Sequence, residues 1–403
     1  MLALVVLVEA FVVRPGDGFA SFHGANWRET ARQLRTQYDW ASKAPGREPE
    51  VVLLGDSLVK FGVYPAVMEE ATNRRATNLA VTTGPTPASY VLFRRILAAG
   101  GRPRAIVIDS VDGPLAEGPQ SRARVYPWAD MLTTAEAAEI AWTSRDVDFL
   151  VQVTLRGLLH SFHNRFEIRK GVLHAIRGEW DMRRTNILAA KRNWAFNRGA
   201  QVNLSNHLEV KAPEAPPGQG LPGTWTPHPV NVVYLERIFD LASENGVAVF
   251  WVLPPIHPHP TGWVRYFGNE ARFTAFVKGI QARHPDVTVL DGRYSEYPNT
   301  AFSDLDHLGH TGATAFSASV ATVVDAGLQP SGHRAKALWL KLPDYKATVS
   351  VRPLVPFIRS FNVVVAERNR RWGQMETSGP EIPRAVAGAP AAMTAAEKAP
   401  TRR

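Results

Sequence analysis

The 403-residue chain is 45% hydrophobic and 21% charged, shares typical of a globular protein, which exclude a collagen-like or a wholly disordered chain. Its net charge of +9 is scattered and forms no basic stripe interleaved with aromatic residues. This argues against nucleic acid as a partner and favours an anionic surface such as a cell envelope or lipid head groups. The absence of cysteine excludes disulfides, thiolate zinc sites and a cysteine nucleophile.

Residues 1–15 form an apolar segment in which Glu9 is the only charge before Arg14. The segment is shorter than the roughly 20 residues that span a bilayer. It also lacks the basic start and the small-residue cleavage site of a signal peptide. Three interpretations are open: the end of a membrane anchor that begins upstream, a weak uncleaved anchor, or a buried first strand. We favour an anchor, because residues 14–18 break the run sharply before a predicted helix over 26–43.

From residue 50 onward, apolar strands alternate with helices. The predicted strands are 50–54, 76–81, 105–109, 247–253 and 287–291. The predicted helices cover about 64–73, 88–99, 230–245, 270–283 and 312–326. Near-continuous Val, Ile and Leu strands separated by helices indicate a parallel sheet that is covered on both faces. The sequence therefore predicts one α/β domain with five parallel strands, formed by residues 16–112 and 229–327.

A long segment interrupts this alternation between residues 113 and 228. It is too long for a structureless loop in a compact domain, so we predict a helical insertion that caps the carboxyl edge of the sheet. Residues 328–376 are predicted to be an accessory segment with short strands near 337–340 and 347–351. Residues 377–403 are rich in Ala, Pro, Thr and charge, and we predict a disordered tail.

Two short segments carry the chemistry that the sequence suggests. An apolar run, residues 51–54, leads into Gly55-Asp56-Ser57, so a buried strand delivers the Ser57 hydroxyl to its carboxyl end. A serine hydroxyl needs a base within hydrogen-bond reach and a third group that orients the base. The late segment Asp304-Leu305-Asp306-His307 offers His307 as the base and an acid to orient it. The structural alternative for Ser57 is a helix N-cap.

Three motifs resemble the SGNH/GDSL hydrolase superfamily, including envelope-associated members related to acyl transfer onto polysaccharides. They are Gly55-Asp56-Ser57, the block Asn78-Leu79-Ala80-Val81-Thr82-Thr83-Gly84, and Asp304-Leu305-Asp306-His307. The resemblance covers about residues 50–110 and 230–326. It implies a flavodoxin-like, three-layer α/β/α fold, a catalytic triad of Ser57, His307 and Asp304, and oxyanion donors in the backbone N–H groups of Ser57 and Gly84. The family spacing selects Asp304 over Asp306, and Asp56 is expected to stabilise the turn.

The chain departs from the family pattern after its third strand. The family shows Gly-x-Asn-Asp there, with the asparagine as a further oxyanion donor, whereas this chain has Asp109-Ser110-Val111-Asp112-Gly113. Because an acid repels a developing negative charge, we expect Asp112 to have a structural or substrate-positioning role. Asn78 and Asn164 are candidates for the missing donor. For Gly84 the alternative is a turn glycine.

Histidines elsewhere invite a metal-site interpretation that the sequence does not favour. His257 and His259 alternate with prolines in residues 254–260 without clustered acids, and we expect this loop to line the mouth of the site. His310 is expected to support the site or to face solvent. Packing roles are expected for His160, His163 and His174. We expect no metal and no cofactor.

The sequence thus predicts a serine esterase that forms an acyl-Ser57 intermediate. Its expected substrate is an acylated carbohydrate or a lipid ester of the cell envelope, with the protein membrane-anchored or extracytoplasmic, although a cytoplasmic location stays open. One alternative is an O-acyltransferase that modifies a surface polysaccharide. The other is a catalytically inactive binding protein with the same fold.

Overall fold

The computed structural model describes residues 49–82, 84–118, 128–129, 131–158, 182–202, 225–258, 269–329, 338–350 and 352–376, with single residues 7, 9, 11 and 176. The predicted helix over 26–43, the predicted tail 377–403 and most of the predicted anchor 1–15 lie outside these residues. Within them, no helix combines the length and the apolar character needed to cross a membrane.

Strands and helices alternate as predicted. The strands are β1 (Val51–Leu54), β2 (Ala76–Asn78), β3 (Ala105–Asp109), β4 (Ala248–Leu253), β5 (Val287–Asp291) and β6 (Trp339–Lys341). The helices are α1 (Ser57–Gly62), α2 (Pro65–Thr72), α3 (Thr86–Ala98), α4 (Asp112–Ala116), α5 (Thr134–Ser144), α6 (Val147–Leu158), α7 (Met182–Asn197), α8 (Pro229–Glu244), α9 (Asn269–Arg283), α10 (His310–Leu328) and α11 (Phe357–Glu376). The five predicted strands and the five predicted helices of the α/β domain are thereby confirmed.

The strands form a single parallel sheet in the order β2-β1-β3-β4-β5-β6. The first five follow the 2-1-3-4-5 order of flavodoxin-like doubly wound sheets. The prediction of five strands is one short, because Trp339 and Leu340 of the C-terminal segment extend the sheet beside β5. Residues 347–350, which were predicted to be a strand, have no regular structure, and Ser350 instead donates a hydrogen bond to Glu70.

Side chains that alternate along each strand give the sheet two buried faces. In β1, Val52 and Leu54 pack into the core beneath α3 and α8, whereas Val51 and Leu53 pack beneath α1, α2 and α10. Both faces are covered, which explains why the strands are almost entirely apolar.

The described part of the predicted insertion is helical, and α5 and α6 pack beside α3 and α8. They extend one helical layer sideways, and Trp128, Ile140 and Phe149 join the core formed with α3 and α8. Glu136 of α5 pairs with Arg95 of α3 at 2.8 Å and helps to fix this arrangement. The cap over the carboxyl edge stays a prediction.

The strand order also locates a crevice. Because β2 and β3 flank β1 on opposite sides, the connections that leave β1 and β3 run to opposite faces of the sheet and separate at their carboxyl ends. Ser57 begins α1 at this point, three residues after Leu54 at the end of β1.

Candidate active site

The turn that presents Ser57 is built by its two preceding residues. Gly55 has a φ of +125°, a conformation that L side chains rarely adopt, and a Cβ at this position would overlap the carboxyl group of Asp109. Asp56 caps α1, and its Oδ1 accepts a hydrogen bond from the Leu58 N–H at 2.7 Å. Gly55 and Asp56 are thus each explained by the shape of the turn that precedes Ser57.

Ser57, His307 and Asp304 form a continuous hydrogen-bonded relay. Oγ of Ser57 lies 2.9 Å from Nε2 of His307. On the other side of the ring, Nδ1 of His307 lies 2.9 Å from both carboxylate oxygens of Asp304. The three residues that the sequence singled out are thus brought together, although 250 positions separate Ser57 from His307.

A tight loop fixes the acid and the histidine. Oδ1 of Asp304 accepts hydrogen bonds from the backbone N–H groups of Asp306 at 2.9 Å and His307 at 2.7 Å. The loop is closed by the Ser303 N–H, which donates to the His307 carbonyl at 2.8 Å. Phe61 of α1 packs edge-on against the His307 ring, with 5.0 Å between ring centroids. These contacts restrict rotation of the imidazole.

The electrostatics suit a histidine that accepts a proton. Partial burial lowers the pKa of His307, but the hydrogen bond and charge of Asp304, aided by Asp306 and Asp56, outweigh it and leave the pKa above its ordinary value. Partial burial raises the pKa of Asp304, and its hydrogen bonds with His307 outweigh this and leave the pKa below its ordinary value. Asp304 is therefore ionised at neutral pH and stabilises a protonated His307.

A cavity of about 370 Å³ opens beside Ser57 and His307. Its described lining comes from the segments that follow β1, β3, β4 and β5, from the first turns of α9 and from the loop that carries His307. It therefore lies at the carboxyl edge of the sheet, where open α/β sheets bind ligands. His257 lines it, as predicted for the proline-rich loop, and packs against Phe302. From the predicted insertion, Gly113 and Pro114 are its described lining residues.

The backbone N–H of Ser57 is a candidate oxyanion donor. The N–H groups of its neighbours Asp56, Leu58 and Val59 all donate to carboxyl groups, whereas no acceptor for the Ser57 N–H is seen in the described ranges. An N–H beside the reacting carbon is the donor that acyl transfer requires.

The expectation for Gly84 is corrected. Its N–H donates to the Val81 carbonyl at 2.7 Å, and Gly84 is absent from the described lining of the cavity. A Cβ at position 84 would also lie 2.6 Å from the Val81 Cβ. Gly84 therefore acts as a turn glycine in this structure, and its N–H is not free to donate to an oxyanion.

Asn78 does not replace the missing asparagine donor. Its side chain is fully buried, and Nδ2 donates to the carbonyls of Val59 and Val63, each at 2.9 Å. The other candidate, Asn164, lies outside the described residues. No side-chain amide is present among the described residues that line the cavity. The position of a further oxyanion donor is thus unassigned.

Two of the cavity's charged residues are restrained by their surroundings. Burial raises the pKa of Asp112, whose carboxyl group accepts a hydrogen bond from the Gly113 N–H. Arg293 donates to both carboxylate oxygens of Asp291, at 2.9 Å and 2.7 Å, and to Thr274 at 2.8 Å. The sequence did not indicate Arg293, because its position depends on contacts with residues of β5 and α9.

The remaining histidines show no metal site in the described part of the chain. His310 stacks against Tyr64, with ring centroids 6.2 Å apart. His259 and the histidines of the insertion, His160, His163 and His174, lie outside the described residues. No cluster of three or more potential metal ligands occurs within the described ranges.

Comparison of the chain with protein-family models and with curated proteins finds no match.

Proposed function

We propose that this protein is a serine esterase of the SGNH/GDSL type that acts through an acyl-Ser57 intermediate. The observation that carries the proposal is the relay in which Ser57 Oγ is 2.9 Å from His307 Nε2 while Asp304 holds Nδ1. This is the arrangement that turns a weakly nucleophilic hydroxyl into an effective one. The adjacent cavity gives an ester room beside the hydroxyl.

In the first half of the reaction, Ser57 Oγ attacks the ester carbonyl carbon while its proton passes to His307 Nε2. The Ser57 N–H donates to the oxyanion that forms on the carbonyl oxygen. When this intermediate collapses, the bond to the alcohol breaks and His307 gives its proton to the departing oxygen, which leaves acyl-Ser57. Asp304 stabilises the charged imidazole during the transfer and does not itself take the proton.

In the second half, a hydroxyl compound gives its proton to Nε2 and attacks the acyl carbon, and Ser57 leaves with that proton. Water as the acceptor gives hydrolysis, whereas a sugar hydroxyl gives O-acyl transfer. We propose an acylated carbohydrate or a lipid ester of the cell envelope as the substrate. The scattered net charge of +9 supports a location at an anionic surface.

Pre-steady-state hydrolysis of p-nitrophenyl acetate tests the proposal. We expect a burst of p-nitrophenol equal to the enzyme concentration, lost in Ser57→Ala and retained in Ser319→Ala, a serine on α10 that bonds to the Ala315 carbonyl. An added oligosaccharide that receives the acetyl group with little hydrolysis would assign the protein to transfer. A folded wild-type protein that releases no p-nitrophenol above the uncatalysed rate, with or without the oligosaccharide, would support the inactive binding protein instead.

A further inference from the structure

A buried acid that takes no part in the reaction lies directly beneath the nucleophile turn. Asp109 ends β3, which pairs with β1, and its residue is only 3% exposed. It is not among the described residues that line the cavity, so its observed contacts are with the protein. Because burial of an ionisable group is costly in free energy, such a group requires specific hydrogen-bond partners.

Those partners are the backbone amides on either side of Ser57. Oδ1 of Asp109 accepts from the Asp56 N–H at 2.8 Å, and Oδ2 accepts from the Val59 N–H at 3.1 Å. One side chain thus holds the start of the turn and the first turn of α1, with Ser57 between its two attachment points. The absence of a Cβ at Gly55 makes room for this carboxyl group.

The second acid of the turn completes the arrangement. Burial raises the pKa of Asp109, the charge of Asp56 raises it further, and the two side chains share a hydrogen bond. Two adjacent buried carboxyl groups ionise together only at a large cost in free energy, so Asp109 keeps a proton. The protonated carboxyl group donates a hydrogen bond to Asp56, and its oxygens still accept hydrogen bonds from the Asp56 and Val59 N–H groups. Asp56 in turn holds the Leu58 N–H at 2.7 Å.

We propose that Asp109 is the positioning residue for the nucleophile. It fixes the backbone on both sides of Ser57, so that Oγ stays within reach of His307 and the Ser57 N–H stays unbonded. This inference rests on the proposed function, since it concerns the reactivity of Ser57. Asp109 acts through the backbone, which predicts an effect on the chemical step and little effect on substrate binding.

The test compares Asp109→Asn with Glu69→Gln. Asn offers one acceptor oxygen in place of two, so one amide loses its partner. Glu69 is a matched control, because it is also a buried acid that accepts from a backbone amide, the Ala76 N–H at 2.9 Å, but it lies in α2 away from the cavity. The folded fraction of each variant is measured first, and then the rate at which a fluorophosphonate phosphonylates Ser57.

We expect Asp109→Asn to phosphonylate about 10²-fold more slowly per folded molecule, the penalty typical of a nucleophile displaced by about 1 Å. The rate constant of its p-nitrophenol burst should fall equally, whereas the p-nitrophenyl acetate concentration that half-saturates the burst rate should change little. Glu69→Gln should lose stability without a change in either rate. A folded Asp109→Asn that reacts at the wild-type rate overturns the inference alone, whereas a wild-type Ser57 that never reacts overturns the proposed function as well.

Amide hydrogen exchange on the wild-type protein decides the matter if Asp109→Asn does not fold. We expect the Asp56 and Val59 amides to be protected and the Ser57 amide between them to exchange faster. Equal exchange at all three amides would overturn the inference.

Discussion

Replacement of Asp304 by Asn changes which ring nitrogen of His307 carries the proton. In the wild-type protein, both carboxylate oxygens lie 2.9 Å from Nδ1, so Nδ1 is protonated and Nε2 is free to accept from Ser57. In Asp304→Asn, Oδ1 can keep its bonds to the backbone N–H groups of Asp306 and His307. The amide NH2 then points at Nδ1 and favours the tautomer in which Nε2 is protonated. That tautomer cannot act as the base.

The expected loss follows from this change and from the exposure of Asp304. The same substitution in a buried triad lowers kcat by about 10⁴. The Asp304 side chain is 49% exposed, so water can compete for Nδ1 and screens the charge. We therefore expect a loss of about 10³ in kcat, equivalent to about 4 kcal/mol of activation free energy.

Steady-state hydrolysis of p-nitrophenyl acetate measures this loss. Asp306→Asn is the matched control, since Asp306 offers its backbone N–H to Asp304 but makes no hydrogen bond to the His307 ring. We expect the kcat of the control to stay within about fivefold of the wild-type kcat near neutral pH, because solvent screens the charge of an exposed side chain and leaves it little effect on the free energy. A loss below tenfold in Asp304→Asn, or one no larger than in the control, would refute the reasoning.

Three further predictions concern pH and the turn. Since the pKa of His307 is raised and only the neutral ring accepts a proton, kcat/KM should fall as the pH drops through that pKa. The pH–rate profile of Asp306→Asn should show this fall at lower pH, and an unchanged profile would contradict the assignment. Gly55→Ala should lose about 3 kcal/mol in urea unfolding, because its φ is +125° and a Cβ overlaps Asp109. A loss below 1 kcal/mol would mean that the turn relaxes. Because the pKa of Asp109 is raised in the folded state, its carboxyl group keeps a proton there at a pH where the unfolded chain has lost it. The free energy of unfolding of the wild-type protein should therefore fall, relative to that of Asp109→Asn, as the pH rises from the ordinary carboxyl range toward the raised pKa. The slope of this difference should reach at most about 1.4 kcal/mol per pH unit, and parallel stability curves would disprove it.

The sequence was sufficient to predict the strands that are buried on both faces. In β1, β3 and β4, nearly every position is apolar because helices cover both sides, and the apolar run predicted where each strand lies. A short strand was predicted near residues 337–340, but the sequence did not show that Trp339–Lys341 would join the parallel sheet as a sixth strand. This edge strand is only three residues long and partly exposed, so it lacks the continuous apolar pattern.

Residues of the site were predictable where neighbours in sequence are also neighbours in space. Asp304 and His307 are three positions apart, and their spacing predicted the contact that is observed. Gly84 shows the limit, because the presence of a glycine does not reveal that its N–H is already bonded to Val81. Asp109 is 53 positions from Asp56, and only the pairing of β3 with β1 brings them together. The acid at the end of an apolar strand was the available signal.

In the proposed mechanism, His307 activates Ser57. Reaction of the folded protein with a fluorophosphonate, followed by peptide mapping of the adduct, measures this activation most directly. We expect one adduct per chain, located on Ser57, abolished in Ser57→Ala and strongly slowed in His307→Ala. An adduct on another residue, or a folded wild-type protein that forms none, would contradict it.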